Sequence, residues 1–386
     1  MKRSLPRPRP DPDPLVGPLL HWFAREARDL PWRHTTDPYA LWVAEIMLQQ
    51  TQVATVIPYW ERWMKAFPDI ANLAAAATDD VLKLWEGLGY YSRARHLQEA
   101  ARQILASAHG EFPRTAAELV DLPGIGRYTA GAIASTAFNE PAPILDGNVI
   151  RVLTRLHALA GDPRSKDLNN RLWNLATDLV VAADSIPVRQ VPKPRAPLRL
   201  AGSCSQLNQA LMELGATVCT PRNPRCPECP VASHCLARQS GEIARFPELP
   251  ARPVITRRTL ATLLWNDRGR WLVRRRPDDA VNGGFWEFPN IECSPNQDPA
   301  SALVTWLRLP PDALVPAGTL HHSITRYRFT QHLFKTVAPP GPTLPAGDLL
   351  WVNSAELAAL ALTAAHRRLV PTLAQPPVVR PARNRR

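Results

Sequence analysis

No uninterrupted apolar run in this 386-residue chain approaches the roughly 18 residues that a membrane-spanning helix requires, so a helical span is excluded. No apolar segment follows the charged, proline-broken N-terminus MKRSLPRPRPDPDP, and no secretory signal is read there. Acidic residues are in the minority. Against 46 Lys and Arg stand 34 Asp and Glu, leaving a formal net charge of +12 and a pI near 9.9. A surplus of that size, mostly arginine, fits a polyanionic partner, with nucleic acid ahead of an acidic membrane. Cysteine is also scarce. The chain is predicted to be cytoplasmic and nucleoid-associated, where six cysteines are poorly explained by disulfides. The first half shows no convincing strand pattern, and no internal repeat stands out.

What is present divides the chain. Alternating prolines block helix and sheet at the start, and residues 1–18 read as a disordered tail. From Leu19 the apolar positions Leu19, Trp22, Phe23 and Leu30 recur at helical spacing, and helical patterns continue to about residue 183. An all-α domain is therefore predicted over 19–240. Within it residues 186–205, IPVRQVPKPRAPLRLAGSCS, form a Pro/Arg-rich insertion, after which QLNQALMELGATV resumes the helical pattern. Residues 241–256 read as a linker. Beyond it TLATLLWND, RWLVRRR, GGFWEFP and RYRFTQHLFKTV carry β-propensity, and DPASALVTWLRL can supply a helix. An α+β domain is predicted over 257–372, with a basic tail over 373–386. The fold class is multidomain, all-α and then α+β.

Four cysteines lie close together: Cys219, Cys226, Cys229 and Cys235, in the pattern C-x6-C-x2-C-x5-C. Four thiolates in one short loop can surround a metal centre, and the spacing leaves iron–sulfur and zinc both open. Prolines at 221, 224, 227 and 230 stiffen the loop, and Arg222 and Arg225 between the first two cysteines are placed to grip DNA phosphates. His234, Cys204 and Cys293 read as ordinary residues outside the ligand set.

LPGIGRYTAGAIAS, residues 122–135, reads as a glycine hairpin entering a helix. Gly124 and Gly126 permit the turn and let backbone N–H groups approach a phosphate at the helix start. Glu45 lies among Leu41, Trp42, Leu48 and Gln49, and desolvation on such a face raises a carboxyl pKa toward the range of a general acid. Asp146, in LDGNV, can accept backbone N–H bonds at a helix start, which favour its ionised form. Two carboxylates shifted in opposite directions would make an acid and an anion. On these residues alone, a solvated glutamate and a plain cap remain open.

VAEIMLQQT, GLGYYSRARHL, LPGIGRYTAGAIA, ILDGNVIRVL, LNQALMELGATVC and the cysteine pattern occur together in this order. In combination they closely resemble the adenine DNA glycosylases of the MutY type, within the helix–hairpin–helix superfamily that carries a [4Fe–4S] cluster. GGFWEFPN resembles part of that family's Nudix-like C-terminal domain. The resemblance implies a helix–hairpin–helix glycosylase domain with a [4Fe–4S] cluster on Cys219, Cys226, Cys229 and Cys235, followed by a Nudix-like recognition domain. It implies a monomeric, monofunctional enzyme that removes adenine from A·8-oxoG or A·G mispairs in double-stranded DNA. Glu45 would protonate the adenine and Asp146 would stabilise the oxocarbenium-like sugar. Gln50 and Tyr90 would fill or wedge the base stack, and Asn148 would hold the carboxylates. The hairpin Gly124, Gly126, Arg127 and Tyr128 would meet DNA. Trp32 and Arg33 of LPWR match a family motif and would line the pocket or contact DNA.

The chain departs from its relatives' patterns, the 186–205 insertion included. Endonuclease III-type lyases carry a Schiff-base lysine after the hairpin, where GIGRYT has Arg127 and Tyr128; a phenol cannot form that imine. The loop that reads 8-oxoguanine in the family corresponds to Ile324-Thr325-Arg326, leaving Thr325 and Arg326 as the opposite-base contacts. The acidic run of active Nudix hydrolases is missing, since residues 287–306 offer only Glu287, Glu292 and Asp298. The alternatives are an endonuclease III-like lyase and a non-enzymatic iron–sulfur DNA-binding protein.

Overall fold

The computed structural model describes residues 13–107, 110–250, 254–277, 280–310, 312–336 and 348–373. The chain forms two compact units, and they do not divide it at a single point. The first comprises Met1–Ala75 and His96–Ala251; the second comprises Ala76–Arg95 and Arg252–Arg386.

The first unit is helical, with no strand among its described residues. It opens with α1 (Val16–Glu26), α2 (Pro38–Leu48), α3 (Val53–Ala66) and α4 (Ile70–Ala75). Helix α1 begins inside the stretch read as a tail: Leu15 and Val16 are buried, and the core starts about four residues earlier than the prolines indicated. Helix α2 starts where Asp37 accepts the N–H groups of Tyr39 and Ala40, with Pro38 at its first position. The chain then lends α5 (Thr78–Trp85) and the start of α6 (Ser92–Ala106) to the second unit and returns at His96 within α6; α7 (Ala116–Leu119) follows, closed by a Thr115–Glu118 capping box. Then follow α8 (Arg127–Phe138), α9 (Gly147–Leu156), α10 (Lys166–Asp184), α11 (Ser203–Thr217) and α12 (Leu236–Gln239). Apolar residues of α1, α9, α10 and α11, among them Leu19, Phe23, Val149, Leu153, Leu172, Leu207 and Leu211, share one core.

Two stretches read as surface segments are tied down. In the insertion, the N–H of Arg195 donates to the Ala24 carbonyl and that of Arg199 to the Arg33 carbonyl, and α11 already begins at Ser203. In the linker, Phe246 is buried, its carbonyl accepting from Arg155, and Glu248 accepts the N–H of Gly161.

The second unit holds a mixed seven-stranded sheet: β1 (Thr256–Asp267), β2 (Arg270–Arg275), β3 (Trp286–Glu287), β4 (Asn290–Glu292), β5 (Leu314–Ile324), β6 (Tyr327–Thr336) and β7 (Leu349–Val352). The order is β3-β2-β1-β6-β5, with β4 against β1 and β7 against β2. Strands β1 and β6 run parallel from Thr256↔Tyr327 to Trp265↔Thr336, and the other pairs are antiparallel. The central run of β1, residues 261–265, is buried throughout. Alternate side chains enter two cores, Leu263 and Trp265 on one face and Leu264 on the other, so both faces of the sheet are covered. Helix α13 (Pro299–Leu307) fills the segment expected to be helical, and α14 (Ser354–Ala359), α15 (Ala364–Arg367) and α16 (Val370–Leu373) end the described chain. Strand β5 escaped the sequence reading because Pro316 and Gly318 break its pattern; the pairing with β6 shifts register between these two residues. The expected basic tail lies outside the described residues beyond Leu373.

Candidate active site

Three elements of the first unit bring Glu45, Tyr128 and Asp146 together. Helix α2 presents Glu45 near its C-terminal end, Tyr128 is the second residue of α8, and Asp146 caps α9. The Tyr128 hydroxyl donates to Glu45 Oε2 at 3.1 Å and lies 3.2 Å from Met212 Sδ. Burial pushes the Glu45 carboxyl up to about 7; the Tyr128 hydrogen bond opposes this, the charge of Asp146 adds to it, and Arg33 opposes it. Burial and the neighbouring carboxylates hold the Tyr128 phenol well above its ordinary range, so it is a neutral donor.

Asp146 Oδ1 accepts the N–H groups of Asn148 at 3.0 Å and Val149 at 2.8 Å, and its Oδ2 accepts Asn148 Nδ2 at 2.8 Å. The expectation of a depressed pKa is corrected here. Burial raises Asp146 above the ordinary aspartate value, and the three donors with Arg151 only oppose that rise. Both carboxyls are therefore shifted upward. They differ in hydrogen-bond partners: Asp146 accepts from three N–H donors and Glu45 from one phenol, while Arg151 and Arg33 each favour the ionised form of their neighbour.

Arg151 was passed over in the sequence. Its Nη2 donates to Asn148 Oδ1 at 2.8 Å and to the Gly215 carbonyl at 2.7 Å, and its Nε donates to the Cys219 carbonyl at 2.7 Å. Arg155, one turn on, donates to Cys219 Sγ at 3.3 Å and to the Thr220 carbonyl at 2.8 Å. The available signal was two arginines four apart on an otherwise apolar helix, IRVLTRL. Glu213 was also missed. Nearly inaccessible, it pairs with Arg28 at 2.8 Å and Arg33 at 2.9 Å, and although burial opposes ionisation those arginines hold it at about 2. Trp32 and Arg33 are both buried.

Cys219, Cys226, Cys229 and Cys235 line one cavity with Val152, Leu156 and other apolar groups. The cavity is about 30 Å³, against the roughly 10–15 Å³ that a single water needs on the same measure. Among the described residues no three His, Cys, Asp or Glu side chains converge as ligands of one ion. Four thiols facing one shared space form a site that an iron–sulfur group can occupy. Cys204 and Cys293 are buried elsewhere, and His234 is exposed outside the cavity. Arg222 and Arg225 are exposed on the loop; Arg225 is engaged by Glu228 at 2.9 Å.

At the hairpin, Gly124 has φ +76°, and a Cβ there would stand 2.7 Å from the His96 Cβ, so only glycine fits. Gly126 has ordinary extended backbone and nothing near its missing Cβ; what it offers is open access to the N-terminus of α8. Arg127 lies over the Trp173 ring at 3.8 Å. Gln50 is exposed with φ +58°. Tyr90 belongs to the second unit, as do Thr325 and Arg326, which are exposed at the β5–β6 turn with Thr325 at φ +50°. The three acids of residues 287–306 are all engaged. Glu287 meets Arg274 and Arg276 at 2.8 and 2.6 Å, Glu292 meets Arg258 at 3.0 Å, and Asp298 caps α13.

Residues 43–177 match the HhH-GPD superfamily of base excision DNA repair proteins, and 219–235 match the iron–sulfur binding domain of endonuclease III. Residues 260–372 match the NUDIX domain. The adenine DNA glycosylase of Mus musculus is 37% identical, over 91% of this chain and 76% of its own length. The chain belongs to the adenine DNA glycosylase family. The Homo sapiens adenine DNA glycosylase is 35% identical over 92% of this chain and 72% of its own length. That of Buchnera aphidicola from Schizaphis graminum is 33% identical over 75% and 77%. The chain is thus a base-excision DNA glycosylase with an iron–sulfur loop at 219–235, and its substrate is DNA. No helix among the described residues is long and apolar enough to cross a membrane.

Proposed function

We propose that this glycosylase removes adenine mispaired with 8-oxoguanine or guanine, hydrolysing the N-glycosidic bond with Glu45 as acid and Asp146 as anion. The observation that carries this reading is the carboxyl pair itself. Glu45 is held near neutral pKa beside an Asp146 fixed by three N–H donors.

The adenine must leave the base stack to reach the half-buried Glu45. Glu45 gives its proton to the base, the C1′–N bond breaks, and the electron pair departs with adenine. Asp146 balances the positive charge that develops on the sugar, in a site where its N–H donors cost no reorganisation. Water then adds at C1′, and the Glu45 carboxylate accepts its proton. Tyr128 fixes the Glu45 carboxyl, and Asn148, held by Arg151, fixes Asp146. Tyr128 stands where a lyase would carry its imine-forming lysine, so the reaction ends at the abasic sugar.

Gln50 and Tyr90 enter the base stack. Gly124, Gly126 and Arg127 meet phosphate at the open N-terminus of α8, and Arg222 and Arg225 meet it from the cysteine loop. Thr325 and Arg326 read the opposite base, and the NUDIX-like unit serves recognition. Cys219, Cys226, Cys229 and Cys235 hold a [4Fe–4S] cluster, which when bound crosslinks the loop that carries Arg222 and Arg225. Excision assays on A·8-oxoG, A·G and oxidised-pyrimidine duplexes, with borohydride trapping, test the reading. Adenine release without a trapped imine is expected; pyrimidine release with trapping would establish the lyase instead.

A further inference from the structure

Residues 76–95 lie inside the base-excision match yet pack with the NUDIX-like unit. The bonds are specific. The Tyr91 and Phe285 rings pack in a tilted arrangement with centroids 3.8 Å apart, both buried. Glu86 is held by two nitrogens of Arg367, one at 2.9 Å. Lys83 donates to Glu86 at 3.0 Å and to the carbonyls of Ala358 at 2.7 Å and Leu360 at 2.9 Å. Arg95 donates to the Gly283 carbonyl, and Arg275 meets Asp79 at 3.3 Å.

These anchors flank a turn of unusual backbone. Gly87, Gly89 and Tyr90 have φ of +104°, +73° and +48°. The left-handed region is unfavourable for a bulky residue such as Tyr90, and it persists only where surroundings impose it. Arg93 supplies part of that constraint, donating to the carbonyls of Leu88 at 3.1 Å, Gly89 at 2.9 Å and Tyr90 at 3.4 Å, while Trp85 Nε1 donates to Gly89 at 3.2 Å. The result is a tyrosine ring 42% exposed on a turn whose next residue packs against Phe285 of the NUDIX-like unit.

We propose that the NUDIX-like unit positions Tyr90, so that Phe285 beneath Tyr91 and Arg367 on Glu86 present the Tyr90 ring for entry into DNA. This rests on the reading of Tyr90 as a stack-entering residue. It makes the C-terminal unit a support for that insertion as well as a reader of the opposite base.

A double-mutant cycle on the full chain tests it, using equilibrium binding to a duplex that carries 2′-fluoro-2′-deoxyadenosine opposite 8-oxoguanine. Tyr90→Ala is expected to weaken binding roughly tenfold, as for loss of one aromatic stack. Phe285→Ala and Arg367→Met are expected to weaken it in the native background and to add nothing to Tyr90→Ala, since they act through that ring. Arg367→Met replaces a partly exposed residue and carries the test if Phe285→Ala does not fold. Losses that add in the Tyr90→Ala background, or no loss from Arg367→Met in the native one, overturn the proposal. A Tyr90→Ala protein with native affinity overturns instead the reading of Tyr90 on which it stands.

Discussion

The Tyr128 hydroxyl donates to Glu45 Oε2 at 3.1 Å, joining the start of α8 to the carboxyl on α2. At this position a lysine would be a nucleophile; the phenol here is a neutral donor to the Glu45 carboxyl. It also restrains that acid, because its hydrogen bond favours the ionised form of Glu45 against burial. Tyr128→Phe removes the restraint, so the Glu45 pKa should rise further. The fall of excision rate at high pH should move to higher pH, measured as single-turnover rate against pH. An unmoved profile would separate Tyr128 from Glu45.

Asp146→Asn keeps a side-chain oxygen that can cap α9, so folding should survive. The charge facing the developing cation is lost, and adenine release should slow by about 10²-fold or more. Affinity for the mispair should stay near native. Excision and binding measured together check both parts.

In the proposed mechanism Glu45 also ties activity to stability. The unfolded chain releases this proton near 4.5 and the folded chain only near about 7, so stability falls as pH rises between the two values. Above the upper value the native fold carries a buried charge that Glu45→Gln removes. This variant should be inactive, yet melt at a higher temperature than the native protein above neutrality. The gap should close below about pH 4, where both states are protonated. Melting curves at the two extremes provide the check.

Much of this site was legible because its chemistry is local. The cysteine spacing, the Asp146 cap and the turn at Gly124 each lie within a few residues. The direction of the Asp146 shift was not legible: the cap bonds are local, but the burial that outweighs them comes from packing between helices distant in sequence. Arg151, Arg155 and Glu213 look like ordinary surface charges until α9 and α11 are brought together. The same holds for residues 76–95, whose helical pattern was plain while their partners Phe285 and Arg367 stand some two hundred residues or more away. In the second unit, β5 was hidden by Pro316 and Gly318, which the strand absorbs as a shift in register.

Purified protein should contain four irons per chain and absorb broadly in the visible range, as expected for the proposed [4Fe–4S] group. Cys229→Ser should lower iron content and destabilise the 219–235 loop. Arg155→Met removes the donor to Cys219 Sγ and should make the iron easier to lose to a chelator. Metal analysis and the rate of bleaching under chelator report both effects; zinc in place of iron would contradict the assignment.

The most direct test of the central claim is the single-turnover rate of adenine release from an A·8-oxoG duplex as a function of pH. If Glu45 is the acid, with its pKa at about 7, free adenine appears and its rate declines as pH rises through neutrality. Glu45→Gln abolishes release at every pH. Release of adenine by Glu45→Gln at the native rate would contradict the account.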